Sequence, residues 1–304
     1  MLVSANKAMK NNTNKLALLG GLSYDGGRVG VLLIHSLGGT PLELKYIAQG
    51  FAREGYSVEC PILPGMTNGT DVLSLARWQD WYAEVERVFD ELSAKCDTVL
   101  VGGLSAGAIL SLKLAKERPD EVAGVLAFAP TLWPNGWAVP WTFNFYRLVH
   151  TRWFARLFRF NQRAPYGVKD ERIRKFMSDA FKAENRTIEE VYARPGVMVL
   201  EFCRLVRHMT KHLRDVAAST LIVHPREDDQ SSLKNALKLQ HDLAGPVEAI
   251  VLDDSYHMVT LDRQRDLVLD RALDFSARTV ARVEAGRKTA APKRRSAEVV
   301  EISG

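Results

Sequence analysis

Six short runs rich in β-branched residues constrain this chain more than any other feature. They are Val29–Ile34, Tyr56–Cys60, Thr98–Val101, Val122–Phe128, Thr220–Val223 and Val247–Leu252, and each ends abruptly in glycine, proline or a polar residue. Stretches with helical spacing separate most of them, among them Leu42–Arg53, Trp78–Leu92, Ala106–Glu117 and Leu233–Leu243. Near-continuous apolar runs suit strands buried on both faces, and strands that alternate with helices build a mostly parallel sheet flanked by those helices. The expected class is therefore α/β. In such sheets chemistry gathers beyond the carboxyl ends of the strands, so the residues after each run are the first place to look.

The alternation stops between Thr131 and about Leu213. Four of the six tryptophans fall there (Trp133, Trp137, Trp141, Trp153), interleaved with Arg147, Arg152, Arg156 and Arg159. The stretch shows no clear strand and reads as a helical cap, residues 131–213, inserted over the active edge of a core formed by 21–130 and 214–283. Its aromatic stripe is expected to pack inward as the lid of an apolar pocket, with a weak membrane-surface contact as the second reading. Residues 1–20 form an N-terminal extension. Residues 284–304 lack apolar periodicity and are expected to be a disordered tail.

Charge and cysteine content exclude several classes. From Arg278 to Gly304 seven basic residues face three acids, a net of +4, so most of the chain's +5 belongs to the tail and the remainder is about neutral. No nucleic-acid surface is expected of the folded part. Cys60, Cys96 and Cys203 are odd in number and scattered, which argues for buried thiols in a reducing compartment rather than a disulfide framework or a CxxC metal site. The N-terminal residues lack the apolar stretch of a secretory signal, and no run approaches the roughly 20 apolar residues of a membrane span. The expected location is cytoplasmic. His208 and His212 share a helix face at i,i+4, but Met209 stands where HExxH has glutamate, and no third ligand is evident. Neither a metal nor an organic cofactor is expected.

The chemistry lies after Thr98–Val101, where Gly102-Gly103-Leu104-Ser105-Ala106-Gly107 runs directly into a helical segment. This is G-x-S-x-G between a strand and a helix, the context a nucleophile elbow requires. The turn is tight, so side chains at Gly103 or Gly107 would meet neighbouring backbone. The helix N-terminus brings unpaired N–H groups to a site of developing negative charge. Ser105 is the candidate nucleophile, and it needs a base steadied by a carboxylate. In this architecture the acid precedes the histidine in the chain. His257 follows the last core strand at a carboxyl edge and is the expected base. The acid should close the preceding strand, where Asp228 and Asp229 are adjacent and composition does not separate them. One oxyanion donor is the Ala106 N–H, next to the nucleophile, and the other is the Leu37 N–H in the loop His35-Ser-Leu-Gly-Gly39.

These segments resemble bacterial monoacylglycerol lipases and small carboxylesterases of the α/β-hydrolase fold. The resemblance rests on the stretch from Ile34 to Gly65, on AKCDTVLVGGLSAGA, on VHPREDD and on DDSYHMVTLD. It implies Ser105, Asp228 and His257 as a triad, which breaks the Asp228/Asp229 tie, and it sets Leu37 at the family's oxyanion phenylalanine. It covers roughly 28–130 and 216–275, with almost none of the cap. Ser36 stands in place of a glycine and Met66 in place of a histidine. With His35, Trp133, Trp137 and Trp141, these two are the candidate pocket residues. The expected activity is hydrolysis of carboxylic esters with an apolar acyl group, acting on a small lipid-like substrate. Thioester, acyl-transfer, amide or carbon–carbon bond chemistry by the same triad is the alternative, and a non-catalytic binding protein the third.

Overall fold

The computed structural model describes residues 20–66, 76–183, 185 and 187–290. The expected N-terminal extension up to residue 19 and residues 291–304 of the expected tail lie outside them. The first half runs β1 (Leu22–Tyr24), β2 (Val29–Ile34), a 3₁₀ turn (Pro41–Leu44), α1 (Lys45–Arg53), β3 (Ser57–Cys60), α2 (Trp78–Ser93), β4 (Thr98–Leu104), α3 (Ala106–Glu117) and β5 (Val122–Phe128). A long insertion follows. It holds a 3₁₀ helix (Trp141–Leu148), α4 (Arg152–Ala155), β6 (Arg159–Phe160), α5 (Glu171–Ala183), α6 (Ile188–Val191), β7 (Arg194–Pro195) and α7 (Gly196–Thr210). The chain then returns through β8 (Thr220–Pro225), α8 (Lys234–Asp242), β9 (Val247–Leu252) and α9 (Arg265–Ala290).

All six expected strands join one sheet of order β1-β3-β2-β4-β5-β8-β9, parallel throughout except for β1 at the edge. β4 is central and fully buried, which its uninterrupted apolar sequence requires. In register, Ile34 pairs with Gly103, Leu104 with Phe128, and Phe128 with Val223. The residues that follow these strands therefore meet at one edge. Successive residues of each strand point to opposite faces. Leu32, Ile34 and Val101 join one apolar core with α2, α3, α7 and α8, while Val31, Leu33 and Leu100 join another with α1 and α9.

Three features differ from the expectations. The insertion is not free of strands, since β6 and β7 pair antiparallel through Arg159–Pro195 and Phe160–Arg194. A two-residue ladder leaves no period for a sequence to display. The tryptophans do not pack inward as a group. Trp137, Trp141 and Trp153 are 59%, 72% and 73% exposed, and the insertion's own core uses Tyr146, Val149, Val197 and Leu200 with Phe143, Phe158 and Phe160. Finally, α9 continues past Val283 to Ala290. A polar contact holds that last part, Arg287 donating to the Thr98 hydroxyl at 3.0 Å and the Asp97 carbonyl at 2.7 Å, and just before it Arg282 donates to the Ser219 hydroxyl at 3.1 Å. Such anchors leave no apolar stripe to read. Among the described residues no helix is long and apolar enough to cross a membrane.

Candidate active site

Ser105 sits between β4 and α3 with φ 57° and ψ −109°, a region that non-glycine residues occupy at a cost of about 1–3 kcal/mol. Its N–H donates to the Phe128 carbonyl at 2.8 Å, which locks the turn to β5. A Cβ at Gly107 would collide with the Ile34 carbonyl oxygen, and one at Gly103 would lie 2.5 Å from that same oxygen. The two glycines are thus required by β2 passing beside the turn. Ser105 Oγ bonds Thr131 Oγ1 at 3.1 Å. Thr131 Oγ1 also reaches Ser231 Oγ at 3.0 Å, and Ser231 Oγ reaches Asp228 Oδ2 at 3.4 Å. No hydrogen bond joins Ser105 to His257, but both face one cavity of about 170 Å³.

His257 lies in the loop after β9, as expected, and its Nδ1 is 2.8 Å from Asp228 Oδ2. Asp228 is buried in the turn after β8, where its Oδ1 accepts the Gln230 and Ser231 N–H groups at 2.7 and 2.8 Å. Those two N–H groups fix the carboxylate independently of the imidazole. Burial disfavours a charged imidazole at His257, but the charge and hydrogen bond of Asp228 outweigh it, with help from Asp229 and Glu43. Its pKa is raised above the usual histidine value. Burial pushes Asp228 up, and the His257 charge and hydrogen bond overcome this, leaving it lowered. Asp229 faces elsewhere. It accepts the Gly167 N–H at 2.8 Å and the His257 N–H at 3.3 Å, and burial together with the Asp228 charge pushes its carboxyl up to about 6. The structure therefore pairs Asp228, not Asp229, with the imidazole.

The His257 loop is held by two further residues, Thr260 and Asp262, that no catalytic motif singles out. Asp262 accepts the backbone N–H of Tyr256 at 2.7 Å and those of Lys169 and Asp170 at 2.7 and 3.0 Å, tying the loop to the insertion. Thr260 Oγ1 donates to the Glu43 carbonyl at 2.7 Å. Both lie in the string after His257 that carries the family resemblance, so the signal was present as sequence without an assigned purpose.

Leu37 and Ala106 are in the loop after β2 and at the first turn of α3. Neither amide N–H has an acceptor among the described residues. Of the expected pocket residues only Ser36 lines the cavity, which the oxyanion candidate Leu37 also lines. His35 and Met66 do not. His35 is fully buried, accepts the Leu63 N–H on Nε2 at 3.1 Å and donates from Nδ1 to the Ser36 carbonyl at 2.9 Å, and burial pushes its pKa down to about 4. Met66 Sδ takes the Gly38 N–H at 3.0 Å. Both serve the loop rather than the cavity. Trp133, Trp137 and Trp141 are also absent from the cavity wall. Trp133 stacks under Arg147, and Trp137 donates to the Glu227 carbonyl at 3.0 Å. The insertion instead lines the cavity with Val139, Phe143, Phe160, Tyr192, Val199 and Phe202. Thr131, the first polar residue beyond β5, also lines the cavity, and no motif in the sequence signals it.

Residues 31–271 match the alpha/beta hydrolase family. The thermostable monoacylglycerol lipase of Bacillus sp. (strain H-257) is 27% identical over 255 residues, which cover 84% of this chain and 92% of that protein. The carboxylesterase of Bacillus subtilis (strain 168) is 23% identical over 255 residues, 83% of this chain and 94% of that protein. A solved structure from the metagenome-derived lipolytic enzymes LipS and LipT superposes with a TM-score of 0.67 at 25% identity, covering 85% of this chain and 97% of that one. A soluble variant of the monoglyceride lipase of Saccharomyces cerevisiae superposes with a TM-score of 0.71 at 15% identity, covering 86% and 91%, a likeness of fold alone. With a match this long over a strand–elbow–helix core, the chain belongs to the alpha/beta hydrolase family.

Proposed function

We propose that this chain hydrolyses carboxylic esters with an apolar acyl group through an acyl-enzyme formed on Ser105. The observation that carries the reading is Ser105, on its strained elbow, sharing a cavity with an imidazole whose far nitrogen is held by buried Asp228. The Bacillus relatives named as lipase and carboxylesterase support the ester as substrate.

In this mechanism the Ser105 hydroxyl turns from Thr131 toward His257 Nε2 and attacks the ester carbonyl carbon as the imidazole takes its proton. Asp228 steadies the resulting imidazolium. The carbonyl oxygen, now anionic, accepts from the unclaimed N–H groups of Leu37 and Ala106, and such donors each supply about 2.7–4 kcal/mol of transition-state stabilisation. His257 then protonates the departing alcohol. Water repeats the sequence and releases the acid. Phe143, Phe160, Val199 and Phe202 provide an apolar wall for the acyl chain, so the insertion acts as the cap. Exposed Trp141, Phe145, Leu148, Trp153 and Leu157, beside exposed Arg156 and Arg159, support a weak contact of this cap with a membrane surface.

A fluorophosphonate probe is expected to label the wild type and not Ser105→Ala. Across an ester series, kcat/KM is expected to peak at medium or long acyl chains and to exceed that for matched thioesters and amides. Equal labelling of both proteins rejects the mechanism, and a peak at acetate rejects the apolar acyl site.

A further inference from the structure

The loop between β2 and α1 is fixed one peptide at a time. The Ser36 N–H donates to Glu43 Oε2 at 3.0 Å. The Ser36 carbonyl accepts from the Gly39 N–H at 3.0 Å and from His35 Nδ1 at 2.9 Å. The Gly38 N–H meets Met66 Sδ at 3.0 Å, and the Leu37 carbonyl accepts from Arg194 Nε at 2.7 Å. One amide in the run from Ser36 to Gly39 is left unclaimed, that of Leu37.

Arg194 differs from the other holders because it comes from the insertion, at the start of β7. Its Nη1 donates to the Val191 carbonyl at 2.9 Å, and the guanidinium lies over the Tyr192 ring at 5.5 Å. Gly38 has φ 65°, and a Cβ there would lie 2.5 Å from Arg194 Nε. A Cβ at Gly39 would strike the Glu43 carboxylate. The paired glycines therefore make room for these two side chains.

We infer that Arg194 is a positioning residue for the oxyanion site: its guanidinium, carried by the insertion, holds the Leu37 carbonyl while the Gly39 N–H and His35 hold the Ser36 carbonyl, so Leu37 is fixed on both sides and its N–H, on the Ser36–Leu37 peptide, stays aimed at the cavity. The inference rests on the proposed ester hydrolysis. A planar fork reaches the Leu37 and Val191 carbonyls at once, which a lysine ammonium does not reproduce. Transition-state stabilisation in the core thereby depends on the seating of the insertion.

The test compares wild type, R194A and R194K, with active sites counted by fluorophosphonate titration. A misplaced group costs up to about 10²-fold, so kcat per active site is expected to fall about 10- to 100-fold in both variants with KM within about twofold. Affinity for a trifluoromethyl ketone, which forms a tetrahedral oxyanion on the serine, is expected to fall by the same factor as kcat/KM. Added methylguanidine at non-denaturing concentration is expected to restore part of the activity of R194A and none of that of R194K. A purely structural role lowers the count of active sites and leaves kcat per site unchanged, and that result overturns the inference, as does a ketone affinity that stays at the wild-type value. If R194A does not fold, R194K decides by the same two constants. Failure of the wild type to label at Ser105 overturns the hydrolase reading itself, a result distinct from any of these.

Discussion

In the proposed mechanism the Ser105–Thr131 hydrogen bond and the His257–Asp228 pair divide the work of activating one hydroxyl. Thr131 takes the Ser105 hydroxyl in the structure, while His257 is already oriented by Asp228. Because the charge and hydrogen bond of Asp228 outweigh burial and raise the His257 pKa, the base is lost as pH falls through a value above 6.5. The acid limb of kcat/KM against pH is expected to have its midpoint above 6.5, and a midpoint at or below it would contradict this electrostatic account. Asp228→Asn is expected to lower kcat about 10⁴-fold, the loss seen when an orienting carboxylate is neutralised. Asp229→Asn, one position along, is expected to cost far less, since Asp229 accepts backbone N–H groups and makes no bond to the ring.

The elbow and the last helix show how the same residue type serves opposite ends. A Cβ at Gly107 would run into the backbone of β2, which has no room to yield beside a fully buried strand. Gly107→Ala is expected to lose about 3 kcal/mol or fail to fold, as overpacking of this kind costs 1–3 kcal/mol or more. Gly286 lies within α9, and nothing stands within 4 Å of where its Cβ would be. Gly286→Ala is expected to gain about 0.5–1 kcal/mol from helix propensity. Urea denaturation of both variants checks the contrast. Loss of stability at Gly286 would mean that α9 is not helical there in solution.

The insertion joins the core through α7, whose Met198, Phe202, Leu205 and Met209 share the apolar cluster of α2 and α3. At its centre Glu201, 1% exposed, bonds Arg152 at 2.6 Å and Arg204 at 2.8 Å, and Arg152 also donates to the Ala76 carbonyl at 3.3 Å. Removing one partner of a buried pair leaves charge uncompensated and costs about 3–5 kcal/mol. Glu201→Ala is therefore expected to lower Tm by about 6–20 °C, at about 2–4 °C per kcal/mol for a chain of a few hundred residues. Calorimetry measures it. A Tm unchanged within 2 °C would show that apolar packing alone seats the insertion.

Much of this protein was legible without coordinates. Strands buried on both faces must be apolar along their whole length, and the run Thr98–Val101 meeting Gly102–Gly107 admits little but a strand, a tight turn and a helix. Chain order then narrowed the partners of Ser105 to residues after β8 and β9. What tertiary structure alone decided was direction. Asp228 and Asp229 are identical in type and adjacent, and they part only because the turn after β8 aims one at the His257 ring and the other at the backbone N–H groups of Gly167 and His257. Trp137 and Trp141 have the composition of a pocket wall, yet the course of the insertion turns them outward and brings Phe143 and Phe202 to the cavity. Arg194 and Leu37 are joined across 157 positions. Composition and period report what a side chain favours, while which groups meet across such a distance depends on how the whole chain packs.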